Sequence, residues 1–140
     1  MKIIVSGFIR KCVLGLALGL MSSVVLAQIP SQLVTVHGIN VTKLKGVLKG
    51  ANKSTRDYIV HVKEGGTLSV ALAASNKSST YFNILPPSSE VALYVSAMDG
   101  KHQWEQKVQA EGNYTVRVYL NRAAARKGNA SHYTLSIASF

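Results

Sequence analysis

The sequence predicts an all-β fold: one small antiparallel β-sandwich of about seven or eight short strands, behind a cleaved export signal. Three observations predict it. Apolar residues recur with a period of two, most clearly at Tyr114, Val116, Val118 and Leu120, with Thr115, Arg117, Tyr119 and Asn121 on the other face. The same alternation returns at Tyr133, Leu135 and Ile137. Strict alternation marks a strand with one buried face. Polar turns rich in Gly, Asn, Ser and Pro separate the runs, and no amphipathic helical period follows residue 27.

The first 27 residues read as a secretory signal peptide. Lys2, Arg10 and Lys11 form the positive region, Cys12 to Leu20 the uncharged apolar run, and Val25-Leu26-Ala27 the cleavage site. The apolar run is short for a membrane anchor and is followed by Ser22 and Ser23. No lipobox precedes Cys12. The expected mature chain is residues 28–140, 140 − 27 = 113 residues, exported to the periplasm. That length suits one domain with one core. Cys12 is the sole cysteine, so the domain holds no disulfide, thiol nucleophile or thiolate metal site.

Three of the 16 Lys and Arg leave with the signal and all 6 acids stay, giving 13 − 6 = +7. Export argues against nucleic acid as the counterpart of this charge. Anionic lipid, lipopolysaccharide, peptidoglycan or an acidic protein cleft remain. Lys43, Lys45, Lys49, Lys53, Lys63 and Lys77 are scattered, as on a solvated surface.

Along the chain, Ile29 to His37 is a first strand or an arm. Val41 to Leu48 is an edge strand whose lysines discourage pairing with another chain. Asp57 to Lys63 and Thr67 to Ala73 both alternate, and Glu64-Gly65-Gly66 between them predicts a hairpin. Tyr81 to Leu85 is a short strand ended by Pro86-Pro87, which donate no ladder hydrogen bond. Val91 to Ala97 reads as another strand before the Asp99-Gly100 turn. His102 to Val108 directs Trp104 and Val108 inward. The last two strands flank Asn121 to Arg126, whose alanines suit one helical turn. The predicted core is Tyr58, Val60, Leu68, Val70, Leu72, Val116, Val118, Leu135 and Ile137.

Catalytic and metal motifs are missing, so neither enzymatic activity nor a cofactor or metal is expected. Asp57, Glu64, Glu90, Asp99, Glu105 and Glu111 form no recognisable pair. His37, His61, His102 and His132 are far apart in sequence. Ser88-Ser89 is not in a nucleophile elbow. The remaining signal is basic: Arg122 and Arg126, four apart, share a face on one helical turn, with Lys127 beside them. A guanidinium fork grips a carboxylate with two hydrogen bonds. Solvated loop charges are the plainer alternative.

Three stretches resemble the bacterial periplasmic inhibitors of goose-type (g-type) lysozyme. They are Tyr81-Phe82-Asn83-Ile84-Leu85-Pro86-Pro87, then Gly112 to Leu120, then Asn121-Arg122-Ala123-Ala124-Ala125-Arg126-Lys127. Lys63-Glu64-Gly65-Gly66-Thr67-Leu68 is also similar, so the likeness runs from about Leu44 to Ile137. The resemblance implies a β-sandwich that plugs the active-site cleft of a g-type lysozyme, a protein partner met in evading host defence. It implies contacts from Arg122 and Arg126, with Lys127, Tyr119 and Asn121 nearby. Some members carry a tyrosine after the Lys-Gly before the hairpin; here Ala51 follows Lys49-Gly50. The Gly112-Asn113-Tyr114-Thr115 strand also resembles pre-peptidase C-terminal sandwich domains. That likeness implies a binding module for an envelope glycan or anionic head group, with Tyr81, Tyr119 and Trp104 as a stacking strip.

Overall fold

Alternating side chains need a partner layer for their apolar face, and two sheets supply it to each other. The computed structural model describes residues 28–140; the export-signal reading concerns 1–27 and lies outside the described residues. The strands are β1 (Ser31–Val34), β2 (Thr42–Lys49), β3 (Thr55–Val62), β4 (Thr67–Ala74), β5 (Thr80–Leu85), β6 (Tyr94–Val95), β7 (Gln103–Lys107), β8 (Gly112–Leu120) and β9 (Ala130–Ser139). One-turn helices α1 (Ser96–Asp99) and α2 (Arg122–Arg126) interrupt them. The sheets run β1-β3-β8-β5-β6 and β2-β9-β4-β7. All pairings are antiparallel except β1 with β3. The fold is the expected all-β sandwich.

Every residue of the predicted core is buried. Val62, Tyr114, Leu120 and Tyr133 join it from the same strand faces, and Phe82 and Ile84 from β5. Each such side chain contributes about 1.5–3 kcal/mol through burial. Trp104 packs against this core and Val108 lies within it, as their inward assignment requires. β2 is an edge strand with Lys43, Lys45 and Lys49 exposed. Gly46 on β2 faces Tyr133 on β9, and a Cβ there would overlap the phenol, with Cε1 at 2.9 Å. The missing side chain makes room for the ring, which covers the bare edge backbone. That ring's hydroxyl meets the Tyr58 hydroxyl at 2.6 Å inside the core.

Two expectations are corrected. The Glu64-Gly65-Gly66 turn does not close a hairpin: β3 pairs with β1 and β8, and β4 with β7 and β9. The chain instead arches from one sheet to the other. Gly65 adopts φ 73°, and Gly66 N–H donates to Lys63 O at 2.9 Å. Val91 to Ala97 is not one strand. Only Tyr94–Val95 pairs, and helix α1 starts at Ser96, whose buried Oγ accepts from Phe82 N–H at 2.8 Å. This hydroxyl replaces a ladder partner on β5.

Candidate functional site at one end of the sandwich

The strand registers sort the connections by end. One end holds residues 50–54, 75–79, 96–102 and 121–129; the other holds 35–41, 63–66, 86–93 and 108–111. The first end carries Lys53, Lys77, Lys101, Arg122, Arg126 and Lys127, and Asp99 as its one carboxylate among the described residues. The second carries Glu64, Glu90 and Glu111 against the single Lys63. Charge is therefore polarised along the strands, although composition alone showed only an excess of lysine and arginine.

Helix α2 crosses between sheets, from β8 to β9. Asn121 is its N-cap, with extended backbone and Oδ1 accepting from Ala124 N–H at 2.8 Å. This bond satisfies a donor that the first turn leaves unpaired. Ala124 and Ala125 are buried against the core, so Arg122 and Arg126 face outward. Both arginines are exposed and make no salt bridge among the described residues. Lys127 is the exposed C-cap, followed by Gly128 at φ 72°. Asn121 N–H donates to Ser79 O at 2.8 Å, and Gly50 N–H to Asn129 O at 3.0 Å. The helix is thus fastened to the connections on both sides. Ala51 sits exposed in the turn so fastened.

Of the five expected partner-binding residues, Arg122, Arg126 and Lys127 lie together on this helix. Asn121 is beside them, but its carbonyl oxygen is committed to the cap. Tyr119 lies on the outer face of β8, half-buried, its ring 6.1 Å from Tyr81. Burial, then the Tyr81 phenol, pushes the Tyr119 hydroxyl pKa up. Tyr81 stacks on His102 at 6.0 Å. His102 Nε2–H donates to Lys77 O at 3.0 Å and Thr80 O at 3.2 Å. Trp104 stands apart from that pair, stacked on Tyr94 at 5.8 Å.

Sequence reasoning missed a bidentate ion pair on the outer face of the five-stranded sheet. Arg117 Nε and Nη2 donate to the two Asp57 oxygens at 2.8 and 2.9 Å. Asp57 is 8% exposed, and its hydrogen bonds hold the guanidinium pKa up. Both residues alternate outward, which the sequence does show; their register, Asp57 opposite Arg117, it does not. Among the described residues, no group of three or more His, Cys, Asp or Glu is placed to hold a metal ion. No helix there is long and apolar enough to cross a membrane.

The two-sheet sandwich is a fold shared with solved structures of bacterial lysozyme inhibitors and of a pre-peptidase C-terminal domain. The solved structure of the Aeromonas hydrophila periplasmic inhibitor of g-type lysozyme matches this chain with a TM-score of 0.70 and 28% identity, covering 81% of this chain and 98% of that one. The Salmonella Typhimurium inhibitor of g-type lysozyme matches at 0.60 and 24%, over 81% and 100%. The pre-peptidase C-terminal domain of a Bacillus anthracis collagenase matches at 0.53 and 16%, over 81% and 97%, which is a likeness of fold. No protein-family model and no curated protein sequence matches the chain.

Proposed function

We propose that this protein is a periplasmic inhibitor of a g-type lysozyme, which it blocks by seating the basic end of its sandwich in the acidic active-site cleft. The carrying observation is the pair Arg122 and Arg126, exposed, free of salt bridges among the described residues and held on a capped helix between rigid strands. The likeness to the Aeromonas inhibitor supports the same reading. A lysozyme cleft holds catalytic carboxylates, and a basic surface is steered towards them before contact. Because α2 is fixed before binding, little ordering cost falls on association. Tyr119 would flank the contact, and Asn121 would act by holding the helix.

The test is inhibition of g-type lysozymes by the parent protein, Arg122→Ala, Arg126→Ala and the two Arg→Lys variants. Truncating one side of a buried charge pair costs about 2–5 kcal/mol, roughly 30-fold to several thousand-fold in Kd. The lysine variants should keep the association rate and dissociate faster, since they keep charge but lose the fork. Melting temperatures should stay within about 2 °C of the parent, because these are exposed surface changes. Parent-like inhibition by all four variants would refute the assignment of the helix. The glycan-module reading is less well supported, because Trp104 packs on Tyr94 and not in a strip with Tyr81 and Tyr119.

A further inference from the structure

We infer that a second contact lies at the same end: a cationic cleft between Lys77 and Lys101 that receives an acidic side chain or loop of the protein partner. The inference rests on the inhibitor reading and extends its surface beyond α2. The cleft has a volume of about 410 Å³, and Leu72, Lys77, Gly100, Lys101, His102 and Gln103 are among the residues that line it. Among the described residues, no carboxylate lines it. Lys77 and Lys101 are exposed and make no salt bridge among the described residues. The nearby acid, Asp99, already accepts from Tyr94 Oη at 2.9 and 3.0 Å and from Lys101 N–H at 2.9 Å. Asp99 is thus oriented towards Tyr94 and the Lys101 backbone, outside the lining of the cleft, and neither ammonium group is within salt-bridge distance of it.

The two walls are clipped together. His102 follows Lys101, and its Nε2–H holds the carbonyl of Lys77 at 3.0 Å. Stacking on Tyr81 fixes the plane of the imidazole. Two residues after Lys77, Ser79 O holds Asn121, the cap of the arginine helix. The cleft and α2 are therefore tied to the same connection, and one partner face meets both. Lysine suits this position because an ammonium donates in three directions and accepts a carboxylate from several angles. A small free anion would leave most of the cleft empty, whereas a partner's acidic loop fills it. An anionic membrane is the competing partner, and the test separates the two.

The experiment is stopped-flow association with a g-type lysozyme that the parent inhibits. It compares the K77E/K101E double variant with K43E/K63E. Both double variants change the net charge equally, but Lys43 and Lys63 lie towards the opposite end. K77E/K101E should slow association by about tenfold at low ionic strength, and K43E/K63E by less than about twofold. The difference should shrink as salt shortens the screening length. Melting temperatures identify any folding defect; if the reversals have one, K77Q/K101Q replaces them, with an expected slowing of about threefold. Equal rates for the two double variants, with the parent still inhibiting, overturn the cleft and leave the inhibitor reading intact. Inhibition insensitive to K77E/K101E, with vesicle binding lost instead, overturns it in favour of a membrane. A parent that inhibits no g-type lysozyme removes both readings.

Discussion

Asn121→Ala separates two roles open to the same residue: a contact with the partner, or a brace for the arginines. The side chain supplies one bond, Oδ1 to Ala124 N–H at 2.8 Å, on a helix of only five residues. Removing an N-cap of this type costs about 1 kcal/mol, within a range of 0.5–2. In a domain of this size that lowers Tm by roughly 3–6 °C. The lesion is local, because Ala124 and Ala125 still pack below it. Arg122 and Arg126 keep their charge but lose their fixed spacing, so inhibition should weaken about three- to tenfold, mainly through dissociation. Asn121→Ser retains a cap acceptor and discards the amide, so it should restore both Tm and inhibition. Differential scanning calorimetry and inhibition constants on the two variants decide it. Should Asn121→Ser inhibit as poorly as Asn121→Ala while melting like the parent, the residue touches the partner and the brace argument fails.

Two further outcomes follow from the core and its tyrosines. Gly46→Ala should lower Tm by several degrees, since the new methyl meets the Tyr133 ring and overpacking costs about 1–3 kcal/mol; an unchanged Tm would show that the ring yields freely. Stability should fall between about pH 10 and 12. Burial, aided by the Asp99 hydrogen bond, pushes the Tyr94 hydroxyl from 10.0 up to about 12, and burial with the Tyr58 bond pushes Tyr133 further. A raised folded pKa means stability complete below the unfolded pKa and lost as pH rises through the folded one. Denaturant midpoints from pH 9 to 12 check this, and Tyr94→Phe should flatten part of the fall.

The sequence told faces well and neighbours poorly. Period-two alternation identified the inward residues of β3, β4, β8 and β9, because each strand reports its own sides. It says nothing of which strand lies alongside. Lys63-Glu64-Gly65-Gly66 therefore looked like a hairpin, although a glycine pair serves an arch between layers equally well. The short helix α1 was illegible because four residues hold barely one turn of periodicity. Helix α2 was legible from its alanines. Asn121 was placed among contact residues, yet its type and position before Arg122-Ala123-Ala124 are an N-cap signature. The placement of Lys77 and Lys101 at the same end as α2 needed the registers, since these residues lie in separate connections.

The placement of α2 also sets how firmly the basic end is held in time. β8 has neighbours on both sides, β3 and β5; β9 has β2 and β4. The helix thus hangs between the interior strands of the two layers. Edge strands β1, β6 and β7 can exchange their amide protons through local opening without disturbing it. Amides of β8 and β9, paired on both sides, should exchange only through much larger openings. The arginines therefore sit on a short exposed helix whose two ends are anchored in the strands that should open least often.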